Sequence, residues 1–177
     1  MVAEAACFKV LPVTTHPTYD QLIELPAYAE QPVPMPFEDI NGHLNVRHYI
    51  GIASEGLDES LVEVGIPQMW PLTDGHACFA AEHHVTYLSE LRTGDTMSAR
   101  VRLLGRSERA AHALVYLLDE TKKTVACVVE EIFLHVDLST RLTAPWPEDV
   151  AARLDARVAE HEALPFPATT SGSLALR

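Results

Sequence analysis

The chain has 177 residues, 47% hydrophobic and 21% charged, with 25 acidic side chains against 13 basic ones and a net charge of −12. That length sets the expectation at one domain, able to bury roughly 70% of its unfolded surface. The acidic balance argues against nucleic acid and against anionic membrane surfaces, because both need clustered Lys and Arg.

Cys7, Cys78 and Cys127 are odd in number and widely spaced. They suit neither a disulfide framework nor a zinc site and read as reduced thiols. The N-terminus carries Glu4, a single Lys9 and no unbroken apolar run. Nothing there resembles a signal peptide, and no stretch of about 18 apolar residues exists to span a bilayer. A cytoplasmic protein is expected.

Along the chain, residues 1–24 have no clean period and are expected to form an arm. Ile23–Glu30 leads into a first strand, and Pro32, Pro34 and Pro36 then forbid regular pairing and force an extended loop that delivers Asp39. Val46, Ile50, Ala53, Leu57, Leu61 and Val64 recur at helical spacing and predict one apolar stripe. Asn45 is the expected N-cap, and Gly65 the C-cap with Pro67 beyond it. After a loop over 67–75 the period becomes two. Phe79, Ala81, His83, Val85 and Tyr87 fall on one strand face, with Glu82, His84 and Thr86 on the other. Met97–Leu103 alternates as a half-buried strand, and strands over Ala110–Leu118 and Thr124–Leu138 follow. Pro145 opens a helix running to about Glu162, followed by a tail expected to be loose. The pattern is α+β: an antiparallel sheet of about five strands wrapped around one long helix, plus a C-terminal helix. Its expected bounds are 1–24 for the arm, 25–140 for the domain, and 141–177 for the C-terminal helix and flexible tail.

The chemistry concentrates in Pro36–Ile50, where an acid in a loop precedes a Gly-His-x-Asn turn and a helix start. A carboxylate beside unpaired helix N-terminal N–H groups has the parts to attack a carbonyl and hold the resulting oxyanion. Asp39 would act as nucleophile or general base; its plain alternative is an Asx-turn in a Pro-rich loop. His43 and Asn45 either orient the reactants or fix the turn and cap the helix. The backbone N–H of Val46 is the natural oxyanion donor. Trp70 reads as a core or interface aromatic that could hold an ammonium group by cation–π attraction. His43, His48, His83 and His84 lack metal-ligand spacing, so no metal is expected.

Asp39, Gly42, His43, Asn45 and Tyr49 fill every fixed position of Asp-x-x-Gly-His-x-Asn-x-x-x-Tyr. The segment resembles the signature of hotdog-fold acyl-CoA thioesterases, the group containing 4-hydroxybenzoyl-CoA thioesterase. A second block, Glu82–Asp95, is similar to the second strand and turn of that family, and the resemblance extends from about Tyr28 to Val136. The same block and His135-Val136-Asp137 resemble thioesterases linked to carnitine and betaine breakdown. The resemblance implies the hotdog fold and hydrolysis of an acyl-CoA to acid and coenzyme A, with no cofactor beyond the coenzyme A of the substrate. It implies Asp39 as the catalytic carboxylate, and a homodimer or dimer of dimers whose shared cleft is lined by His84 or Tyr87; Tyr49 and Trp70 stand with them as substrate-binding candidates. One branch of the family uses a helix glutamate, which makes Glu55 the alternative. It lies roughly 160° from the centre of the apolar stripe. An enoyl-CoA hydratase would need Asp-x-Asn-Pro-x-His, but Gly42 replaces the Pro and Leu44 the His. A non-catalytic acyl-CoA binding protein on the same fold stays open.

Overall fold

The computed structural model describes residues 15–177, so Cys7 and most of the expected arm lie outside the described residues. Helix α1 spans Tyr19–Leu22, strand β1 Tyr28–Pro32, helix α2 Tyr49–Val62 and helix α3 Trp70–Thr73. Strands β2 (His76–Tyr87), β3 (Thr96–Arg106), β4 (Ala110–Asp119), β5 (Thr124–Asp137) and β6 (Leu142–Thr143) follow, and helix α4 covers Glu148–Glu162. The strands form one antiparallel six-stranded sheet in the order β1-β3-β4-β5-β2, with β6 beside β5. The sheet curls around α2, the hotdog arrangement. No helix among the described residues is long and apolar enough to cross a membrane.

The core lies between α2 and the concave face of the sheet, where Tyr49, Ile52, Ala53, Leu57 and Leu61 meet Ala99, Val101, Val129 and Phe133. Gly56 sets how near the helix comes. A Cβ there would stand 2.3 Å from the Ala99 Cβ, so no larger residue fits without moving the helix. The buried stripe differs from the expected one: Val46 is 60% and Ile50 39% exposed, while Tyr49, Ile52, Gly56 and Ser60 are buried. The reason lies at the helix start. Val46–His48 is a 3₁₀ turn, and its three residues per turn break the helical phase before α2 begins. At the far end Gly65 takes φ +83°. Its N–H donates to Val62 O and that of Ile66 to Leu61 O, at 3.1 and 3.0 Å, closing the helix as its composition predicts.

Strand β2 carries a bulge. Ala80 pairs with Phe133 and Glu82 with Ile132, leaving Ala81 as the extra residue. The single alternation expected from Phe79 to Tyr87 is therefore broken. Cys78 and Ala80, rather than Phe79 and Ala81, line the α2 side with Leu57, Leu61 and Glu131.

The convex face is covered as well. Leu22 and Leu25 from the N-terminal side and Phe166 from the tail pack on Leu114, Tyr116, Leu118 and Val128. The tail expected to be loose is thus held: Arg102 donates to Phe166 O at 2.8 Å and the Ser171 N–H to Glu130 at 2.7 Å. Strand β3, expected to be half-buried, is buried on both faces, because Arg100 finds Glu120 at 2.8 Å and Arg102 finds the tail. Helix α4 closes one end of the core with Val150 and Leu154. Its Arg157 donates to Glu63, just past the end of α2, at 3.0 Å.

Candidate active site

The loop that carries Asp39 is built by local constraints. Pro32 pairs with Thr96 at the end of β1, where its missing N–H costs little. A 3₁₀ turn over Met35–Phe37 follows. Glu38 then bridges to Leu44, and between them the Asp39 N–H donates to His43 O at 2.8 Å. Gly42 turns the chain at φ +77°, a conformation that a side chain would strain. Asp39 Oδ1 accepts the N–H groups of Asn41 and His43 at 2.7 and 3.3 Å, and Oδ2 accepts the Asn41 side-chain amide at 3.4 Å. Asp39 therefore does form an Asx-turn. The Asn41 backbone N–H, helped by His43 and the Asn41 side chain, holds its carboxyl below the ordinary aspartate value. Turn and ionised acid are one arrangement here.

Asp39, His43, Val46, Tyr49, Tyr87 and Glu90 line a cleft of about 430 Å³. The Tyr49 and Tyr87 rings meet edge to face, with centroids 5.1 Å apart. His43 Nε2 lies 2.5 Å from Glu90 Oε2, and Glu90 Oε1 in turn accepts from Arg92 at 2.6 and 2.7 Å. The Leu44 N–H donates to Leu91 O at 2.7 Å, which ties the Asp39 loop to the turn after β2. His48 stacks on Phe37 with centroids 3.8 Å apart. Asn45 Oδ1 accepts the Arg47 N–H at 3.1 Å and so caps the turn that leads into α2. The Val46 N–H, at the first position of that turn, has no acceptor within it.

The other expected site residues stand elsewhere in this chain. His84 faces a small cavity on the convex side with Thr86, Leu114 and Glu130. Trp70 and Glu55 wall a separate cavity of about 540 Å³ at the opposite end of β2. The two large cavities share no lining residue within this chain. Asn45 caps the turn and does not line the Asp39 cleft. Glu90 was not picked out from the sequence as a site residue. Its one signal is its place in the second block that resembles the family, after the strand that ends at Tyr87.

A family model described as the thioesterase-like superfamily matches residues 33–154. The betainyl-CoA thioesterase of Pseudomonas aeruginosa is 30% identical over 138 residues, covering 78% of this chain and 87% of that protein. The L-carnitine dehydrogenase/betainyl-CoA thioesterase of Rhizobium meliloti is 26% identical over 129 residues, 73% of this chain but only 26% of that longer protein. Among solved structures, a Staphylococcus aureus protein in complex with CoA matches with a TM-score of 0.74 at 21% identity, over 86% of this chain and 97% of the other. The 1,4-dihydroxy-2-naphthoyl-CoA thioesterase from Synechocystis matches with a TM-score of 0.64 at 12% identity, over 73% and 96%. These two likenesses speak for the fold. With the motif residues and the sheet order agreeing, the chain belongs to the thioesterase-like superfamily, as a hotdog-fold acyl-CoA thioesterase.

Proposed function

We propose that this thioesterase hydrolyses the coenzyme A thioester of a small, betaine-like acyl group, with Asp39 as the catalytic carboxylate. The observation that carries the reading is the cleft itself, in which a carboxylate held by three hydrogen-bond donors shares its walls with the first residue of the turn leading into α2. Two routes fit. Asp39 attacks the thioester carbon, expels the thiolate and leaves a mixed anhydride that water opens; or it takes a proton from a water that attacks the carbon. In both, the carbon–sulfur bond breaks and the carbonyl oxygen carries negative charge in passing. The Val46 N–H is the donor for that charge, strengthened by the dipole of the helix behind it. His43, held by Glu90, orients the water or the thioester. The acyl class is supported by the relatives named as betainyl-CoA thioesterases.

The working unit in this reading is a two-fold dimer. Strand β2 ends the sheet order, so its outer edge has no neighbouring strand among the described residues. That edge is twelve residues long, contains no Pro, and has Glu82 as its one acidic deterrent. Antiparallel pairing of two such edges about their middle brings the Tyr87 end of one strand to the Ala77 end of the other. The interface is self-complementary, the commonest oligomer symmetry. Hydrolysis assays on a panel of short acyl-CoAs, including trimethylammonioacetyl-CoA, test the function. Turnover of that thioester is expected. Tight binding of the panel with no thiol released would make the chain a binding protein instead.

A further inference from the structure

The contact between His43 and Glu90 is one that the Asp39 turn does not need. The backbone closes that turn by itself: the Asp39 N–H donates to His43 O at 2.8 Å, and the Gly42 N–H to Asp39 O at 3.0 Å. Two other contacts tie the loop to the segment after β2, the Leu44 N–H donating to Leu91 O and the Thr93 hydroxyl donating to Glu38. The His43 ring is therefore available for something else. Its Nε2 meets Glu90 Oε2 at 2.5 Å, while Arg92 holds the other oxygen of that carboxylate from two nitrogens, at 2.6 and 2.7 Å. A carboxylate kept charged by an arginine only accepts, so Nε2 carries the proton and Nδ1 is left as the lone pair of the ring. Among the described residues nothing hydrogen-bonds to Nδ1. The ring is half-exposed and lines the same cleft as Asp39 and Tyr49.

We infer that His43 is the base that holds and deprotonates the hydrolytic water after Asp39 has attacked, and that Glu90 is the positioning residue that fixes its tautomer. The inference rests on the thioesterase reading above and divides the labour within it. Asp39 Oδ1 accepts two N–H groups and Oδ2 one amide. The Asn41 N–H first, and that of His43 after it, keep its carboxyl below the ordinary aspartate value. A carboxylate held in this way stays ionised, which attack requires, but takes a proton less readily than an ordinary aspartate. An imidazole with a free lone pair is the side chain suited to proton transfer near neutral pH. In the first step an Asp39 oxygen bonds to the thioester carbon, the carbon–sulfur bond breaks and the thiolate leaves. In the second, water bonds to the acyl carbon of the anhydride while Nδ1 takes its proton. The bond from that carbon to the Asp39 oxygen then breaks and restores the carboxylate. The proton passes from His43 through solvent to the thiolate, so acid and thiol are the products. The charge of Glu90 stabilises the imidazolium while it lasts.

Rapid mixing with an acyl-CoA that the wild type turns over separates the two steps by counting thiol. In His43→Ala the first step survives and the second slows. A burst of about one thiol per active site is expected, followed by steady turnover about tenfold slower than wild type. KM falls together with kcat, so kcat/KM, which reports only events up to thiol release, stays near the wild-type value. Glu90→Gln shows the same pattern to a smaller degree, because a glutamine offers the ring an N–H or a C=O alike and no longer fixes the tautomer. Added imidazole restores turnover in His43→Ala and not in Asp39→Asn, which gives no burst. If the pair only held the loop in shape, kcat and kcat/KM would fall together, with no burst and no rescue by imidazole. That result overturns the inference and leaves the thioesterase reading standing, whereas wild type that releases no thiol from any acyl-CoA of the panel overturns both.

Discussion

The two ends of β2 treat a carboxylate in opposite ways. At the Tyr87 end, N–H groups converge on Asp39 and hold its carboxyl below the ordinary value. At the Ala77 end, partial desolvation and the neighbouring Glu55 raise Asp58, and farther along the strand, opposite His83, burial raises Glu131 with His83 pulling the other way. The side chains are alike; hydrogen bonding governs one end and desolvation the other. An acid that stays ionised without a counter-charge is ready to attack or to take a proton at neutral pH. A carboxyl whose charged form is disfavoured by burial or by a like charge holds its proton to higher pH. The first end is the better placed for a carboxylate that must be ionised.

That contrast can be broken at several points. Apart from removal of the Asp39 carboxylate itself, the largest effect is expected from the edge that joins the ends. Val85→Lys with Thr86→Asp places charge on β2 and should reduce both assembly and turnover by at least about tenfold. Light scattering read beside activity checks it, and a fully active monomer at assay concentration would falsify the shared site. His43→Ala should lower turnover about tenfold by loosening the reactants without removing the acid. Glu90→Gln should do so to a smaller degree, and kcat measured for both variants orders them. Because the proposed route uses only groups of the chain, a chelator should leave turnover unchanged; loss restored by a divalent ion would sink that expectation.

Two smaller effects concern the frame around the ends. Gly56→Ala forces a Cβ against Ala99 and should cost about 1–3 kcal/mol of stability, measured by denaturant unfolding. His161 sits buried in α4 with its Nδ1 accepting the Leu103 N–H at 2.8 Å, and burial lowers its pKa from 6.5 to about 4. The unfolded chain binds that proton more readily than the folded one, so His161 contributes stability above pH 6.5 that drains away as pH falls toward 4. The melting temperature should decline across that window and decline less in His161→Asn. Parallel curves for the two proteins would remove His161 from the explanation.

How much of this was legible in the sequence follows from the range of the forces involved. The Asp39 turn, the Asn45 cap and the Gly65 stop are local, set within a few residues, and their residue types announce them. The same local logic was available for α1, where Thr18 and Gln21 form a capping box, but the helix is only Tyr19–Leu22 and has no period to detect. The bulge at Ala81 depends on the register against Phe133 and Ile132, more than fifty residues away in sequence, and alternation within β2 alone cannot reveal it. Gly56 looked like an ordinary helix position because its reason is Ala99 on another element. The buried arginines of β3 look half-exposed in the sequence because their partners are distant in it, Glu120 for Arg100 and the tail at Phe166 for Arg102. Trp70 is expected among the substrate-binding residues by its aromatic character alone, and α3 places it in a different cavity from Asp39.

Turnover of Asp39→Asn and of Glu55→Gln, measured side by side on one neutral acyl-CoA, asks which end of β2 does the chemistry. The neutral substrate keeps cation recognition out of the comparison. The account predicts at least about a 100-fold loss of kcat for Asp39→Asn with acyl-CoA binding and folding retained, the usual scale for a removed acid–base group, and near wild-type turnover for Glu55→Gln. Asp39→Asn within a few-fold of wild type, with Glu55→Gln inactive, would contradict it and move the catalytic carboxylate to the helix.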